Sequence, residues 1–359
     1  MSADRPGGST ISRRGFIGGA IAAVVVAGCG GDDGDGAGAA TEPGTTTPGS
    51  SSTTAAAPST SVAGSTAVPT TETTSPSTST ATPTGTATID TPGGTFEIPL
   101  DPQRVVAIEP RLDVEIAIAL GLPLVGIGGN NAAMSGTPVA PWVPIAADVP
   151  LLGGTDENLE AIAALRPDLI VCNTGSGALD ALGQIAPLLA QEWDKPWRDM
   201  LEQAGEWMER TAAVATALAE FDAQIAEITG RHAAALASAQ LAVVQPGQDG
   251  TFRTAGVPSS LIHLQVLEAL GGTVLPFAQE QQWSQGVSDE RIAELADADG
   301  LLVLVPPGQE GAIDGAPFWS DLPAIVGGRY RYADGRLNFG LIYTAVECAR
   351  VWDDLLAKL

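Results

Sequence analysis

Residues 206–239 constrain this chain more than any other stretch. Their apolar residues fall at Trp207, Val214, Leu218, Phe221, Ile225 and Ile228, stepping by three, four or seven. That spacing is one face of an α-helix, and Ala, Leu, Glu and Gln, which dominate the stretch, are good helix formers. A continuous helix would run ~45 Å, longer than a domain of ~130 residues is thick. Blocks on both sides carry strand and helix signals of their own. The spacing therefore predicts one helix that leaves one lobe and enters a second. Gly230 is the point at which it would end early, leaving 231–239 as a separate turn.

Before residue 206 the signals alternate. A hairpin is expected over 86–99, turning at Pro92-Gly93-Gly94. Strands are expected at 105–108, 124–127, 168–172 and 187–192, with helices at 113–120, 158–165 and 179–185 between them. After residue 239, strands are expected at 241–245, 300–305 and 329–332, and helices at 259–270, 288–296 and 341–356. Alternation of this kind means parallel sheets covered on both faces. The fold class expected is α/β, with two three-layer, parallel-sheet lobes joined by one long α-helix.

The first 87 residues read differently. Ser12-Arg13-Arg14-Gly15-Phe16-Ile17 resembles a twin-arginine export motif, and the apolar run 21–27 is too short to span a bilayer. Val26-Ala27-Gly28-Cys29 resembles a lipobox, which makes Cys29 the acylated residue, tethered to the outer face of the membrane. Residues 30–87 are Gly, Ser, Thr, Ala and Pro with five acids, a composition that cannot bury enough surface to fold. The expected organisation is a signal peptide (1–28), a disordered stalk (29–87), an N-terminal lobe (88–205), the linking helix (206–239) and a C-terminal lobe (240–359).

Charge excludes one class of partner. Forty-two acids face 17 basic residues, a formal −25, with no basic patch, so nucleic acid is not expected. Three cysteines and two histidines leave little for a metal site or a disulfide framework. Cys172 and Cys348 fall in different lobes and are read as buried thiols. His232 continues the apolar stripe of the long helix and is read as packing or a lobe-boundary hydrogen bond; His263, inside an expected helix, is read as structural.

Several short motifs come in a telling order: Pro102-Gln103-Arg104-Val105-Val106, then Leu152-Gly153-Gly154, Asn158-Leu159-Glu160 and Ala164-Leu165-Arg166-Pro167-Asp168-Leu169-Ile170. Val287-Ser288-Asp289-Glu290 and Phe318-Trp319 with Leu322-Pro323-Ala324 complete the set. Over residues 89–359 the chain resembles the substrate-binding lipoproteins of ABC importers for ferric siderophores, haem and cobalamin. The resemblance implies the type III periplasmic binding protein fold, whose lobes move little on ligand binding. It also implies an extracytoplasmic, lipid-anchored monomer that delivers a chelate to a permease dimer and its ATPase. No cofactor and no metal ligands are implied, because the iron arrives inside its chelator. In the family a glutamate at each of the positions of Glu160 and Glu290 docks on permease arginines; the alternative is that both complement helix dipoles.

Ligands of open α/β sheets sit beyond the carboxyl ends of the strands. Phe252 and Arg253, after the first strand of the second lobe, resemble the aromatic-plus-arginine loop that holds siderophores in relatives. Arg offers five donors in a fixed fork suited to chelate oxygens; its alternative is an exposed turn residue. Arg111 and Trp142 are further candidates. Trp193 and Trp283 offer flat walls, with core packing as the alternative, and Trp319 is read as core. A haem or cobalamin ligand on the same scaffold is the first rival, although Tyr330, Tyr332 and Tyr343 suit an axial role poorly. A hydrolase using Ser176 with His263 is a rival of another class, as is a cell-wall lipoprotein without transport. Ser176 lacks nucleophile-elbow spacing, and no phosphate loop or zinc-helix motif is present.

Overall fold

The computed structural model describes residues 84–128, 139–153, 158–247 and 250–359. The export motif, Cys29, the stalk up to residue 83 and the loop at Asn130-Asn131 lie outside the described residues. What is described belongs to one unit, Ser75–Leu359.

The first lobe opens with an antiparallel hairpin, β1 (Thr86–Thr91) and β2 (Gly94–Pro99). Its inward residues Ile89 and Ile98 are buried. Then follow β3 (Val105–Ala107), α1 (Leu112–Ala119), β4 (Leu124–Ile127), α2 (Leu159–Ala164), β5 (Leu169–Asn173), α3 (Leu179–Leu182) and β6 (Leu188–Gln191). The strands form one parallel sheet in the order β4-β3-β5-β6. Strands β3, β5 and β6 are buried along their whole length, as strands covered on both faces must be.

The linking segment departs from expectation. It comprises three helices, α4 (Trp197–Trp207), α5 (Thr211–Arg231) and α6 (Ala233–Leu236). The longest, α5, has 21 residues and spans ~31 Å. The chain breaks at Met208–Arg210, where Glu209 takes a left-handed φ of 53°. No Gly or Pro marks that break, and the apolar spacing from Trp207 to Val214 runs straight across it because α4 and α5 face the same core. Gly205 lets the two helices close up: a Cβ there would lie 2.6 Å from Val214 Cγ2. The second break falls at His232 rather than at Gly230; the backbone there has ψ 22°.

The second lobe contains β7 (Gln240–Pro246), β8 (Thr251–Arg253), α7 (Ile262–Ala269), β9 (Thr273–Val274), α8 (Pro276–Gln279), β10 (Val287–Ser288), β11 (Gly300–Val305), α9 (Pro323–Val326), β12 (Tyr330–Asp334) and α10 (Ile342–Leu356). Strands β9, β7, β11 and β12 are parallel. The sheet as a whole is mixed, because β8 doubles back on β7 and β10 pairs antiparallel with β8. That short ribbon hangs on the carboxyl end of β7, beyond the point where β9 pairs with its beginning. The helix expected at 288–296 is a 3-10 helix, Asp289–Leu295.

Helix α5 buries Val214, Leu218, Phe221 and Ile228, and Phe221 meets Trp197 edge-on at 5.2 Å. At its end His232 Nε2 lies 2.7 Å from Asp353 Oδ1 on α10, the lobe-boundary hydrogen bond expected for it. Helix α1 supplies the second tie between lobes. The carboxylate of Glu115 accepts the amides of Leu341, Tyr343 and Thr344 at 2.9, 2.9 and 3.1 Å.

Candidate functional site

The loop between β3 and α1 starts the site. Glu109 accepts the amides of Arg111 and Leu112 at 2.8 and 2.7 Å, which satisfies donors at the start of α1 that no side chain at Arg111 caps. The Arg111 guanidinium turns back to Glu109 Oε1 at 2.5 Å. Asp113, fully buried, links this loop to the next strand. Its Oδ2 accepts Glu109 N at 2.8 Å and its Oδ1 accepts Asn173 Nδ2 at 3.0 Å. Burial first, then the Glu109 carboxylate, raises its pKa well above the ordinary value.

Asn173 ends β5, opposite Gln191 at the end of β6. Its Oδ1 accepts Gly175 N at 2.9 Å and so holds the loop beside Trp193, whose ring would lie 3.8 Å from a Cβ at Gly175. Trp193 is 45% exposed. Phe339 of the second lobe joins it: the Arg111 guanidinium lies 4.9 Å from the Phe339 centroid, and the Trp193 ring lies 6.4 Å away, tilted by 55°. Two of the residues singled out in the sequence thus meet on an aromatic that the sequence reading missed. Phe339 precedes Gly340 just ahead of α10, and that aromatic-glycine step before a helix was the available signal.

Arg253 and Phe252 separate. On β8 successive side chains point to opposite faces. Phe252 is 0% exposed and packs 6.5 Å from Phe277; it is core and not a ligand wall. Arg253 is exposed and has no hydrogen-bond or ion-pair partner among the described residues. It pairs across the ladder with Gln245, whose Oε1 accepts Asn338 Nδ2 at 2.8 Å, one residue before Phe339. That connection links Arg253, through Gln245, to the residue beside Phe339.

The other candidates sit elsewhere. Trp142 donates from Nε1 to Thr344 Oγ1 at 3.0 Å and lies 5.8 Å from the Arg336 guanidinium. It lines a separate cavity of about 290 Å³ with Tyr332 and Leu337, so its indole joins the lobes instead of the Phe339 cluster. Trp283 is half-buried, its ring 5.5 Å from that of His263 and tilted by 56°. His263 is fully buried, with Nδ1 3.3 Å from Leu337 O, and burial lowers its pKa to about 4. Ser176 instead accepts Ala178 N at 3.2 Å within the first lobe; the proposed Ser176–His263 pair has no geometry. Cys172 and Cys348 are buried thiols outside any disulfide, and Trp319 is core at 2% exposure. Glu160, in the first turn of α2 behind the Asn158 cap, and Glu290, in the 3-10 helix of the second lobe, are both exposed.

The periplasmic binding protein family model matches residues 105–337. The ferric enterobactin-binding periplasmic protein of Escherichia coli is 29% identical over 280 residues, covering 70% of this chain and 84% of that one. Among solved structures, a periplasmic solute binding protein from Mycobacterium smegmatis aligns with a TM-score of 0.64 at 24% identity, covering 76% of this chain and 98% of that one. FhuD2 from Staphylococcus aureus with bound ferrioxamine B aligns at 0.59 and 18% identity, covering 72% and 99%. These are binding proteins of extracytoplasmic location, not enzymes. The chain belongs to the periplasmic binding protein family.

Proposed function

We propose that this chain captures a ferric siderophore outside the cytoplasm and delivers it to an ABC permease dimer powered by its ATPase. Export follows the twin-arginine route, and acylation at Cys29 tethers the monomer to the membrane through the 29–87 stalk. The chelate lies between Arg111 and Trp193 of the first lobe and Phe339 and Arg253 of the second. Glu160 and Glu290, one per lobe, dock on the permease. The observation that carries the reading is the meeting of Arg111 and Trp193 with Phe339 across the lobes, at the carboxyl ends of the strands. The named ligands of the relatives, ferric enterobactin and ferrioxamine B, support the cargo class. Trp193 reports binding directly. Titration with ferric siderophores should quench tryptophan fluorescence saturably, and a response confined to haemin or cobalamin would refute the siderophore reading.

A further inference from the structure

Nine cations of the described residues pair with a carboxylate, and Arg104, Arg329 and Lys358, at the amino ends of their strands or on the last turn of the chain, bond backbone carbonyls. Fourteen Lys and Arg follow residue 83, against 36 Asp and Glu. At the cleft, Arg111 is held by Glu109 at 2.5 Å, and Lys195, two residues beyond Trp193, by Glu192 at 2.7 Å. Among the described residues only Arg166 and Arg253 have no hydrogen-bond or ion-pair partner. Arg166 lies just before β5, at the amino end of the sheet and so away from the cleft. Arg253 is then the one uncompensated cation at the carboxyl ends.

The unpartnered polar groups nearby are neutral. Gln191, 0% exposed at the end of β6, has neither amide atom bonded. Asn338 Oδ1, beside Phe339, and Thr254 Oγ1, next to Arg253, are also buried without a partner. Such groups cost free energy until something bonds them. They are neutral and offer no countercharge.

We infer that this cleft selects ferric hydroxamates, neutral or cationic, and discriminates against ferric tris-catecholates; the inference rests on the siderophore reading above. Three hydroxamates cancel the charge of ferric iron, whereas three catecholates leave three negative charges on the complex. Arg253 neutralises one. The other two meet no further uncompensated cation among the described residues at the carboxyl ends, in a strongly acidic protein whose summed field disfavours them. This separates the chain from the Escherichia coli relative named for ferric enterobactin, a tris-catecholate.

The test is a titration of the full chain, in detergent, with ferrioxamine B (cationic), ferrichrome (neutral) and ferric enterobactin (trianionic). Two uncompensated charges predict that the hydroxamates bind on the order of 100-fold more tightly. Added salt should raise the affinity for ferric enterobactin and leave that for ferrichrome almost unchanged, because screening relieves only the repulsion. Equal or tighter binding of ferric enterobactin overturns the selectivity and leaves the siderophore reading standing. Binding of none of the three overturns both.

Discussion

Thr344 gives both its amide and its hydroxyl to Glu115, a carboxylate that belongs to the other lobe. The same hydroxyl accepts Trp142 Nε1 at 3.0 Å, so two first-lobe side chains fasten one residue at the start of α10. Free N–H groups at a helix start need acceptors, and a carboxylate is the favoured one. The contact exists only because residue 340 is glycine. Its φ is 157°, and a Cβ there would lie 2.2 Å from Thr344 Oγ1 and 2.6 Å from Glu115 Oε1. With α5 on one side and this latch on the other, the cleft floor is braced twice.

Removing the latch should be costly. Glu115→Ala strands three buried amides and a hydroxyl, and the loss of a buried charged acceptor predicts ~3 kcal/mol of lost stability. Gly340→Ala should destabilise as well, by crowding the same contact. Chemical denaturation measures both, and wild-type midpoints would refute the latch.

Two buried groups set opposing pH slopes. Burial, outweighing its four donors, raises Glu115 from 4.5 to about 7. Its stabilising contribution is therefore complete below 4.5 and lost as pH rises towards 7. Burial lowers His263 from 6.5 to about 4, so its contribution is present above 6.5 and lost as pH falls towards 4. Each gap corresponds to ~3 kcal/mol, and across pH 4.5–6.5 the two nearly cancel. Single variants should unmask them: Glu115→Gln should lose stability as pH falls, and His263→Phe should lose it as pH rises. Melting curves at pH 5 and pH 8 decide this, and parallel behaviour of the two variants would contradict it.

Neighbouring residues on β8 should behave oppositely. Phe252→Ala removes a fully buried ring and should cost ~3–5 kcal/mol of stability. Arg253→Ala should leave stability near wild type and weaken chelate binding about tenfold or more, as loss of a charged hydrogen bond does. Calorimetry of both variants separates the roles; a binding defect without a stability defect in Phe252→Ala would return that ring to the site.

Phe339→Ala removes the ring shared by Arg111 and Trp193. Cation–π and aromatic contacts of this kind contribute ~1 kcal/mol, so affinity should fall roughly fivefold. The Trp193 emission should also shift to the red as the indole gains water. An unchanged spectrum would place Phe339 outside the cluster.

Docking and tethering are separable from binding. Glu160→Ala combined with Glu290→Ala should preserve chelate affinity and abolish uptake, and intact uptake would remove both residues from the docking role. Cys29→Ser should release the protein into the medium; retention on membranes would refute acylation.

Periodicity reports which face of a segment is buried, and for that reason the sequence alone determined the α/β alternation, the bilobal plan and the buried strand β11. A charge balance is likewise one-dimensional, and 42 acids against 17 bases argue against a nucleic-acid partner without any contact. Periodicity does not report what the face is buried against. The apolar stripe of 206–239 therefore hid the break at Glu209, since α4 and α5 share one core. Alternation along a strand of three residues is equally mute, so Phe252 and Arg253 read as a pair until β8 folded back on β7 and sent them to opposite faces. Trp142 read as a ligand-binding candidate because nothing local tells an exposed indole from one bonded to Thr344, some 200 positions away. The clustering of Arg111, Trp193 and Phe339, and the pairing of Glu115 with α10, join residues far apart in the chain. Only the tertiary structure decides such contacts, because their energy depends on burial that no single segment possesses.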